Sequence, residues 1–557
     1  PDARGHAKGI LSPGGCLYRV SPDGKDWELL ASGFRNTYDA AFSPNGDLFT
    51  FDSDMEWDMN TPWYRPTRVC LVASGAEFGW RNGSGKWPAH YADSLPGILD
   101  IGPGSPTGVE FGTWTRFPQK YRQALFLGDW SYGKIYAVHL TPAGGAYRGA
   151  PEVVISGAPL PTTDIVANPI DGAMYFITGG WNIQTGLYRV THPGGEATVP
   201  TEVAADQGPS LRNLRLELEQ FHGRTMPHAV DKIWPQLGHA DRFIRFAARV
   251  ALEWQDPLLW RDRAFHETEA DKGIPALMAL ARAEPQVKSA DTKARVIEAL
   301  GRFQWDTLDD RLRLDLLRTV ALVFIRMGSP SELERQQWLS VFEPAFPAKS
   351  RILNSELVQM LVYLESPIVA SRGVSLLENA VTQEEQMDYV RALRVLRSGW
   401  TLDLRQRYFR WFLKAAAYRG GASFAGFVKG IKADAMATLT DSERTALAPI
   451  LDAVPDYVSP LAAMGAAFQG RTEFHEWTVE GLSRVAAVSL RDRDFERGRR
   501  MFAAAGCFSC HRLDGEGGAV GPDLTSAGGR FSPRDLLESI IEPSKTVSDL
   551  YGNVVLT

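Results

Sequence analysis

Cysteine is scarce in this sequence, with four Cys among 557 residues. Two of them, Cys507 and Cys510, stand close together near the end of the chain. The other two, Cys16 and Cys70, remain as a possible pair. Their spacing does not show whether they meet, so one disulfide and two separate buried thiols are both open.

Long apolar runs and an excess of positive charge are also absent. No stretch of about 18 apolar residues occurs, so the sequence predicts no membrane-spanning helix. The formal net charge is −6, which leaves no basic footprint for nucleic acid. Hydrophobic residues make up 44% of the chain and charged residues 23%. These proportions are ordinary for a soluble globular protein and argue against a disordered or fibrous one.

An initiator Met and a signal peptide are absent too. The chain begins with PDARGHAKG and ends with GNVVLT, which reads as half of a hairpin. We therefore expect both ends to be cut, and the missing signal peptide then says nothing about location. At roughly 100–200 residues per domain, the chain should hold about three or four domains.

Residues 1–195 are predicted to form a β-propeller that is incomplete at its N-terminal side. Apolar and aromatic runs such as CLYRV and LFTFDSD are separated by Asp-Gly and Asn-Gly pairs, the strongest short-range hairpin signal. The order recurs in ALFLGDWSYGKIYAVHL and in AMYFITGGWNIQTGLYRV. Recurring four-stranded units of this kind indicate a propeller. Because CLYRV corresponds to a later strand of a unit, we expect earlier blades to be missing.

Residues 196–209 read as a Gly/Pro/Thr-rich linker, and residues 210–490 as a helical region. Apolar residues there recur at spacings of three and four, which is typical of amphipathic helices. In LGHADRFIRFAARVALEW, one face collects Phe243, Ala247, Val250, Ala251 and Trp254. Stacked helix pairs would bury such stripes, and the region resembles HEAT-type repeats. Its histidines, such as His228 and His266, are expected to be satisfied surface or groove residues rather than ligands.

Residues 491–557 contain a candidate haem-attachment motif, Cys507-Phe508-Ser509-Cys510-His511. Two thiols at this spacing can form thioethers to the vinyl groups of haem, and the adjacent imidazole then reaches the iron. A redox pair or a zinc pair would also use two cysteines. Zinc is the poorer account, because a second pair of soft ligands nearby is lacking.

The surroundings of the motif strengthen the haem interpretation. DFERGRRMFAAAG predicts a helix that leads into Cys507, GPDL follows His511, and SPRDLLESII predicts a second helix with Ser532 as its N-cap. This order resembles class I cytochromes c, an all-α fold. The resemblance implies haem c with His511 as an axial iron ligand, and Pro522 as the residue whose carbonyl accepts the other ring proton of that histidine.

The second axial ligand is not evident in the sequence. Cytochromes of this family usually supply a Met downstream, yet no Met occurs between His511 and Thr557. Met501 lies upstream, on the predicted leading helix, where packing is the expected role. Either the ligand lies beyond the cut end, which would make the domain incomplete at its C-terminal side, or the iron is bound otherwise.

The propeller region adds a second resemblance. GFRNTYDAAFSPNGDLFTFDSDMEWD followed by EFGWRNGSGKWP resembles the glucose/sorbosone dehydrogenase propellers. The whole order, from propeller through helices to the haem segment, resembles the large multidomain haem proteins of planctomycetes and related bacteria, often labelled membrane-bound dehydrogenases. In the soluble glucose dehydrogenases an Arg-Asn pair contacts pyrroloquinoline quinone, which implies that role for Arg35 and Asn36. The alternative is a structural turn from Gly33 to Asn36.

An acidic cluster follows the same strand. Asp52, Asp54, Glu56 and Asp58 alternate, so their side chains would share a face and could hold Ca²⁺. An EF-hand is excluded because its sixth position is Trp57 rather than Gly. A solvated rim or a substrate-binding cluster is equally compatible. Nearby aromatic residues could stack on sugar rings, although core packing is their commoner use: they are Trp57, Trp63, Tyr64 and Trp80.

Together these patterns predict an exported electron-transfer protein, periplasmic or on the cell surface. A propeller related to dehydrogenases would oxidise a sugar or other alcohol and pass electrons to haem, and a further redox protein would be the partner. The alternative is non-catalytic: the propeller binds a glycan or protein, the helices act as a scaffold, and the haem relays or senses electrons.

Overall fold

The computed structural model describes residues 14–55, 64–81, 85–180, 183–194, 210–283, 290–418, 424–454, 477–489, 493–513, 516–517 and 521–545. Strands dominate up to Val190, and helices dominate from Leu211 onward. A small C-terminal unit begins at Phe495. The described chain is therefore multidomain, with a sheet-rich region, a large helical region and a C-terminal domain.

The described strands have the following bounds: β1 Gly15–Val20, β2 Trp27–Phe34, β3 Thr37–Phe42, β4 Leu48–Asp52, β5 Thr67–Leu71, β6 Ala76–Glu77, β7 Trp80–Arg81, β8 Gly85–Lys86, β9 Leu99–Gly102, β10 Pro106–Phe111, β11 Leu125–Asp129, β12 Lys134–Ala143, β13 Ala146–Ser156, β14 Thr162–Ala167, β15 Met174–Gly180, β16 Ile183–Val190, β17 Arg512–Leu513 and β18 Glu516–Gly517. The strand runs predicted from the sequence are confirmed.

The larger sheets follow the chain in order. β3-β4-β5-β9 and β10-β11-β12-β13 are four-stranded, and β14-β15-β16 is three-stranded. All of their pairs are antiparallel. The first strands adjoin, since β10 contacts both β3 and β14. Two of these sheets have the four strands that were predicted for each unit and the third has three, while the closed ring of a propeller stays a prediction.

The described helices have the following bounds: α1 Gln119–Arg122, α2 Leu211–Glu219, α3 Ala229–Ile233, α4 Arg242–Glu253, α5 Arg261–His266, α6 Ala270–Ala283, α7 Ala290–Gly301, α8 Asp310–Met327, α9 Glu332–Ala345, α10 Arg351–Tyr363, α11 Val369–Asn379, α12 Gln383–Leu393, α13 Leu402–Ala415, α14 Phe424–Met436, α15 Asp441–Leu451, α16 Val479–Ser489, α17 Phe495–Ala504, α18 Ala527–Arg530 and α19 Pro533–Ile541. Many begin at a Ser, Thr or Asp whose side chain accepts a free backbone amide of the first turn.

The helical region is built in two rows. Helices α2, α4, α6, α8, α10 and α12 form one row, in which each helix contacts the next. Helices α5, α7, α11, α13 and α15 lie in the other, with contacts from α5 to α7 and from α11 through α13 to α15. This arrangement lets each amphipathic helix bury its apolar stripe against neighbours, as the sequence predicted. The finer assignment to HEAT repeats stays a prediction.

Helix α4 joins the helical region to the sheets. Ala247 and Ala251 belong to the core of the helical region, whereas Phe246 and Val250 pack with Ala31 of β2 and Cys70 of β5 in a separate cluster. The helix is therefore buried on two sides, more widely than a single stripe would require. The predicted face is wrong at Trp254, which follows the helix and is 52% exposed.

Cys16 and Cys70 do not form a disulfide. Both are free thiols. Cys70 is completely buried, and this burial raises the pKa of its thiol to about 12. Cys16 is partly buried and lies near the carbonyl of Gly14. Of the two alternatives, two separate thiols is the one the structure supports.

The structure describes both histidines that were named in the helical region. His266 lies near the carbonyl of Asp262, with its Nδ1 2.7 Å from that oxygen. His228 adopts a left-handed backbone at the start of α3. No helix in this part is both long and apolar enough to cross a membrane.

A buried ion cluster fixes the first helix of the helical region to the sheets. Asp47, in the turn between β3 and β4, accepts hydrogen bonds from Arg212 and Arg215 of α2 and from the Tyr147 hydroxyl, each at 2.6 Å. Burial alone would raise the pKa of Asp47, but the two arginines outweigh it and hold that pKa below its usual value. Arg215 also bonds Glu219, so none of its charge is left unpaired.

Replacing Arg215 by Met tests this cluster. We expect Arg215→Met to lower the free energy of unfolding by about 3–5 kcal/mol, because Glu219 would keep a buried charge without its partner and Asp47 would lose one of its two arginines. Equilibrium unfolding in urea, followed by far-ultraviolet circular dichroism, measures the change.

Arg19→Met is the matched control. The Arg19–Glu28 pair is largely exposed, with 70% and 48% of the two side chains accessible. Its loss should cost less than about 1 kcal/mol. Equal losses in the two variants would contradict the role given to Arg215.

Candidate functional site

The Cys507–His511 motif forms a tight turn between helix α17, the first helix of the C-terminal domain, and strand β17. Gly506 has φ +77°, a left-handed conformation that turns the chain out of the helix. A 3-10 turn over Cys507–Ser509 follows, and the amide of His511 donates to the Cys507 carbonyl at 2.9 Å. The backbone thus places Cys507, Cys510 and His511 within one tight turn, the local arrangement used in haem attachment.

His511 is oriented by Pro522. Its Nδ1 lies 2.9 Å from the Pro522 carbonyl oxygen. Because a carbonyl can only accept, the ring donates from Nδ1, and Nε2 is left with a lone pair for iron. Gly521 permits this close approach, since a Cβ there would stand 2.8 Å from the imidazole. The residues present therefore fit a haem held by Cys507, Cys510 and His511.

The helices around the motif agree with the sequence predictions. Asp494 caps α17, and Ser532 with Asp535 forms a capping box on α19. Phe502 packs edge-on against Phe508, with their ring centroids 4.8 Å apart, and Phe508 is 3% exposed. Met501 differs from expectation: it is 49% exposed rather than packed.

Polar side chains gather at one end of the larger sheets, which we call the strand-end face. There β4 ends at Asp52, β9 at Gly102 and β11 at Asp129. The pairs Asp52 with Arg68 and Asp129 with Lys134 lie at this end. The turn that carries Arg35 and Asn36 precedes β3 at the same end, since Thr37 pairs with Asp52.

Asp52 holds that turn in place. Its Oδ1 accepts the backbone amides of Arg35 at 2.9 Å and Asn36 at 3.1 Å. Gly33 has φ +79°, and a Cβ on it would lie 1.8 Å from the Glu77 carboxylate, so a side chain cannot occupy this position. The backbone thus forms the structural turn, while the Arg35 side chain is half-buried and that of Asn36 is exposed at the face.

Asp52 also pairs with two buried cations. Its Oδ2 lies 3.0 Å from Arg68 Nη2 and 3.5 Å from Lys86 Nζ, and Asp52 itself is fully buried. Lys86 donates to the carbonyls of Ser53 and Pro66 as well. Burial lowers the pKa of Lys86 to about 8 despite the attraction of Asp52.

These contacts bear on the predicted calcium site. Asp54 accepts from the Gly104 amide at 3.2 Å, and Tyr64 lies 3.5 Å from the same oxygen. Both described members of the acidic cluster are therefore occupied by protein donors, and Asp52 already faces two cations. Within the described ranges, no group of three His, Cys, Asp or Glu is arranged to hold a metal. Glu56 and Asp58 lie outside the described residues.

The aromatic residues named with this cluster are only partly described. Tyr64 is 41% exposed, and Trp80 is half-buried in β7. Trp57 and Trp63 lie outside the described residues. Stacking on sugar rings stays a prediction.

The C-terminal domain packs directly on the strand-end face. The Leu160 amide donates to the Gly529 carbonyl at 3.0 Å. Arg530 lies over the Trp130 ring at 5.1 Å, and the Trp130 indole donates to the Gly179 carbonyl. A Cβ on Gly529 would stand 2.2 Å from the Ser131 carbonyl. The domain therefore rests on the loops that follow β11 and β13.

Short contacts connect this interface to the acidic end of β4. Ser131 lies 2.6 Å from Ser105, oxygen to oxygen. The neighbouring Gly104 amide reaches Asp54, and Asp129 Oδ1 accepts the amides of Ser105 and Ser131 at 3.0 Å each. A few polar contacts thus separate the C-terminal domain from the turn that follows Asp52.

Several site residues were missed by reasoning from sequence. Lys86 sits in the quoted GSGKWP stretch, but nothing in that pattern signals a buried amine beside Asp52. Gly521 stands next to Pro522 and could have been suspected, because glycine marks close approach. The contact of Gly529 with Ser131 joins residues almost four hundred positions apart, for which a single sequence offers no signal.

Comparison with known proteins identifies the C-terminal segment. Residues 495–551 match the cytochrome c family, so this segment is a cytochrome c domain. No curated protein matches the chain at a significant level.

Solved structures resemble the chain only weakly. One is an oxidoreductase described as a glucose dehydrogenase, from Thermus thermophilus, at 18% identity and TM-score 0.24, covering 29% of this chain and 47% of that one. The aldose sugar dehydrogenase of Streptomyces coelicolor, solved with PQQ bound, has 14% identity and TM-score 0.23, with coverages of 32% and 51%. A glucose dehydrogenase has 19% identity and TM-score 0.24, with coverages of 31% and 49%. The chain spans about half the length of these proteins.

The cysteines allow a direct test of haem attachment. We expect the double variant Cys507→Ala/Cys510→Ala to retain no haem after denaturation, because both thioethers are lost. Haem staining of a denaturing gel and the pyridine haemochrome spectrum measure attachment. Cys16→Ala/Cys70→Ala is the control and should keep full covalent haem; loss of haem in the control alone would refute the assignment.

Gly521→Ala tests the orientation of His511. The added methyl would meet the imidazole and weaken its bond to Pro522, which lowers the basicity of the ligand. We expect covalent haem to be kept and its midpoint potential to rise. Gly528→Ala is the control, since a Cβ there meets nothing within 4 Å; identical potentials in both variants and the parent would contradict the proposed role of the Pro522 carbonyl.

Proposed function

We propose that the chain is an exported electron-transfer protein in which the sheet-rich region oxidises a sugar or another alcohol and passes electrons to haem c. The observation that carries this proposal is the seating of the cytochrome c domain on the strand-end face, the end of the sheets that also bears Arg35 and Asn36. Donor and acceptor held in one chain need not meet by diffusion.

The redox chemistry needs an acceptor for two electrons. An alcohol that becomes a carbonyl compound releases two electrons and two protons, which a bound quinone such as pyrroloquinoline quinone would take up together and return, electrons singly to haem and protons to water. The guanidinium of Arg35 and the amide of Asn36 are the groups that would bind the oxygens of such a quinone. Asp52 would fix their backbone, as it does in the structure.

The remaining residues of the site have positioning roles in this proposal. Cys507 and Cys510 would anchor the haem, and the Pro522 carbonyl would keep Nε2 of His511 directed at the iron. Cys510 is exposed, so the attachment side is open to a redox partner protein. Haem of this type is attached outside the cytoplasmic membrane, which would place the protein in the periplasm or at the cell surface.

The domain plan belongs to the same proposal. It consists of an incomplete dehydrogenase-like propeller over residues 1–195, a linker over 196–209, HEAT-like helices over 210–490 and a cytochrome c domain over 491–557. The two rows of helices support the third element. The order agrees with the resemblance to the multidomain haem proteins of planctomycetes.

A substrate panel tests the activity. The full-length holoprotein is mixed with sugars and alcohols, with added pyrroloquinoline quinone and Ca²⁺, and reduction of its own haem is followed spectroscopically. We expect reduction by at least one substrate and its loss in Arg35→Ala. No reduction by any substrate, in protein whose haem is intact, would refute the enzyme proposal and favour a glycan-binding or protein-binding role with a relay haem.

The interface between the domains allows a sharper test. We expect Gly529→Ala to slow substrate-driven haem reduction severalfold, because its methyl would displace the cytochrome c domain from the Ser131 carbonyl. Gly528→Ala adds a methyl one residue away in open space and should leave the rate unchanged. Stopped-flow absorbance of the haem gives both rates.

Reduction by dithionite is the internal reference for these two variants. It acts on the haem directly and should be equally fast in both. Equal substrate-driven rates in Gly529→Ala and Gly528→Ala would contradict electron transfer across this interface.

A further inference from the structure

A pocket separate from the strand-end face lies where the loop at His90 meets helices α4, α6, α8 and α10. Its volume is about 410 Å³, within the range of roughly 300–1,000 Å³ that is usual for small-molecule sites. One part of its lining is strongly basic, with Arg242, Arg245, Arg249 and Arg311. Another part is apolar, with Phe246, Ile274, Met278 and Leu314.

Arg249 is one of the residues that line this pocket. It is 2% exposed, and its Nη1 bonds Glu253. Its Nε and Nη2 have no hydrogen-bond partner within the part of the chain that the structure describes. These two nitrogens form one edge of the guanidinium, the edge that can bind both oxygens of a carboxylate or phosphate at once.

The neighbouring arginines add positive charge that is only partly balanced. Arg242 donates to the carbonyls of Tyr91 and Ser94, and Arg245 to those of His239 and Ala240. In the described residues neither has a hydrogen bond to a carboxylate.

Two acids line the pocket, and each has a partner. Asp315 is 3.3 Å from Arg311, and Asp310 accepts from Arg313, which lies outside the pocket. Burial lowers the pKa of Arg242 to about 10 and raises that of Asp315 to about 6, although Arg311 opposes the latter. The pocket therefore combines four guanidinium groups with two carboxyl groups.

Elsewhere in the chain, a buried arginine of similar accessibility is fully paired. Arg215 is also 2% exposed, but its guanidinium bonds Asp47, Glu219 and the Gly145 carbonyl. An unpaired N–H in the interior is costly. In the described residues, Nε and Nη2 of Arg249 have no acceptor comparable to those of Arg215. An anion in the pocket would be a suitable acceptor for this edge of the guanidinium.

We propose that this pocket binds a small organic anion. Its carboxylate or phosphate head would pair with the free edge of Arg249 and with the charges of Arg242 and Arg245. Its apolar part would lie against Ile274, Met278 and Leu314. An inorganic anion would leave this apolar wall unused, and an uncharged molecule would leave the Arg249 donors unpaired. This site is independent of the redox function proposed above.

Ligand-induced stabilisation of the full-length holoprotein tests the proposal. The probes are hexanoate and hexyl phosphate, with 1-hexanol and inorganic phosphate as the uncharged and headgroup-only comparisons. We expect a saturating concentration of at least one of the first two to raise the melting temperature by about 2 °C or more. Isothermal titration calorimetry gives the affinity and stoichiometry.

Substitution of Arg249 then assigns the effect to the pocket. Arg249→Met should fold with little change in melting temperature, because it removes two unpaired buried donors and leaves Glu253 bonded to Arg282, and it should lose the ligand-induced rise. Arg405→Met, a buried arginine of α13 outside the pocket, is the control and should keep it. Should Arg249→Met fail to fold, Arg245→Gln at the partly exposed side of the pocket should weaken binding at least severalfold.

The other outcomes overturn the proposal. A rise with 1-hexanol equal to that with hexanoate would show that the head charge is irrelevant. A rise with inorganic phosphate equal to that with hexyl phosphate would show a simple anion site. No rise with any probe, or a rise that survives in both Arg249→Met and Arg245→Gln, would remove the pocket as a ligand site.

Discussion

One backbone contact between distant parts of the chain joins the C-terminal domain to the sheets. The Leu160 amide donates to the Gly529 carbonyl, and Gly529 has no side chain to keep the Ser131 backbone away. This contact seats the cytochrome c domain on the end of the sheets where β4 and β11 finish. An exchange of electrons between the two regions would be direct only in this arrangement. Without it, the haem and the Arg35 turn would be unrelated features of one long chain.

Buried carboxylates organise the regions around that contact. Asp52 accepts the backbone amide of Arg35 and also forms ion pairs with Arg68 and Lys86. Asp47 and Asp93 play a comparable part at the border with the helices, where they bind Arg215 and Arg318 respectively. Removing one partner of such a pair is costly, because the other charge is then left buried and unpaired. Arg249 also bonds a carboxylate, that of Glu253, but two of its nitrogens have no acceptor in the described residues, which is why it points to a ligand.

Sequence reasoning succeeded where local chemistry decides the outcome. Hairpin turns, helix caps such as Ser532 and the spacing of Cys507, Cys510 and His511 are all local, and the bond from His511 to Pro522 followed from the resemblance to cytochromes c. It failed where distant residues meet. Trp254 was assigned to a buried stripe, although the helix ends just before it. Asp52 was grouped with calcium ligands because its partners, Arg68 and Lys86, arrive from other strands. The seating of Gly529 had no sequence signal at all.

The most direct test of the central claim is a distance between the haem iron and the strand-end face. A spin label is placed at Asn36→Cys or, at the opposite end of the same sheet, at Asn45→Cys, in protein that lacks Cys16 and Cys70. Pulsed dipolar electron paramagnetic resonance then measures each label-to-iron distance. Since β4 rises about 3.3 Å per residue over its length, we expect a clearly shorter distance from position 36 than from position 45. Equal distances, or a shorter one from position 45, would contradict it.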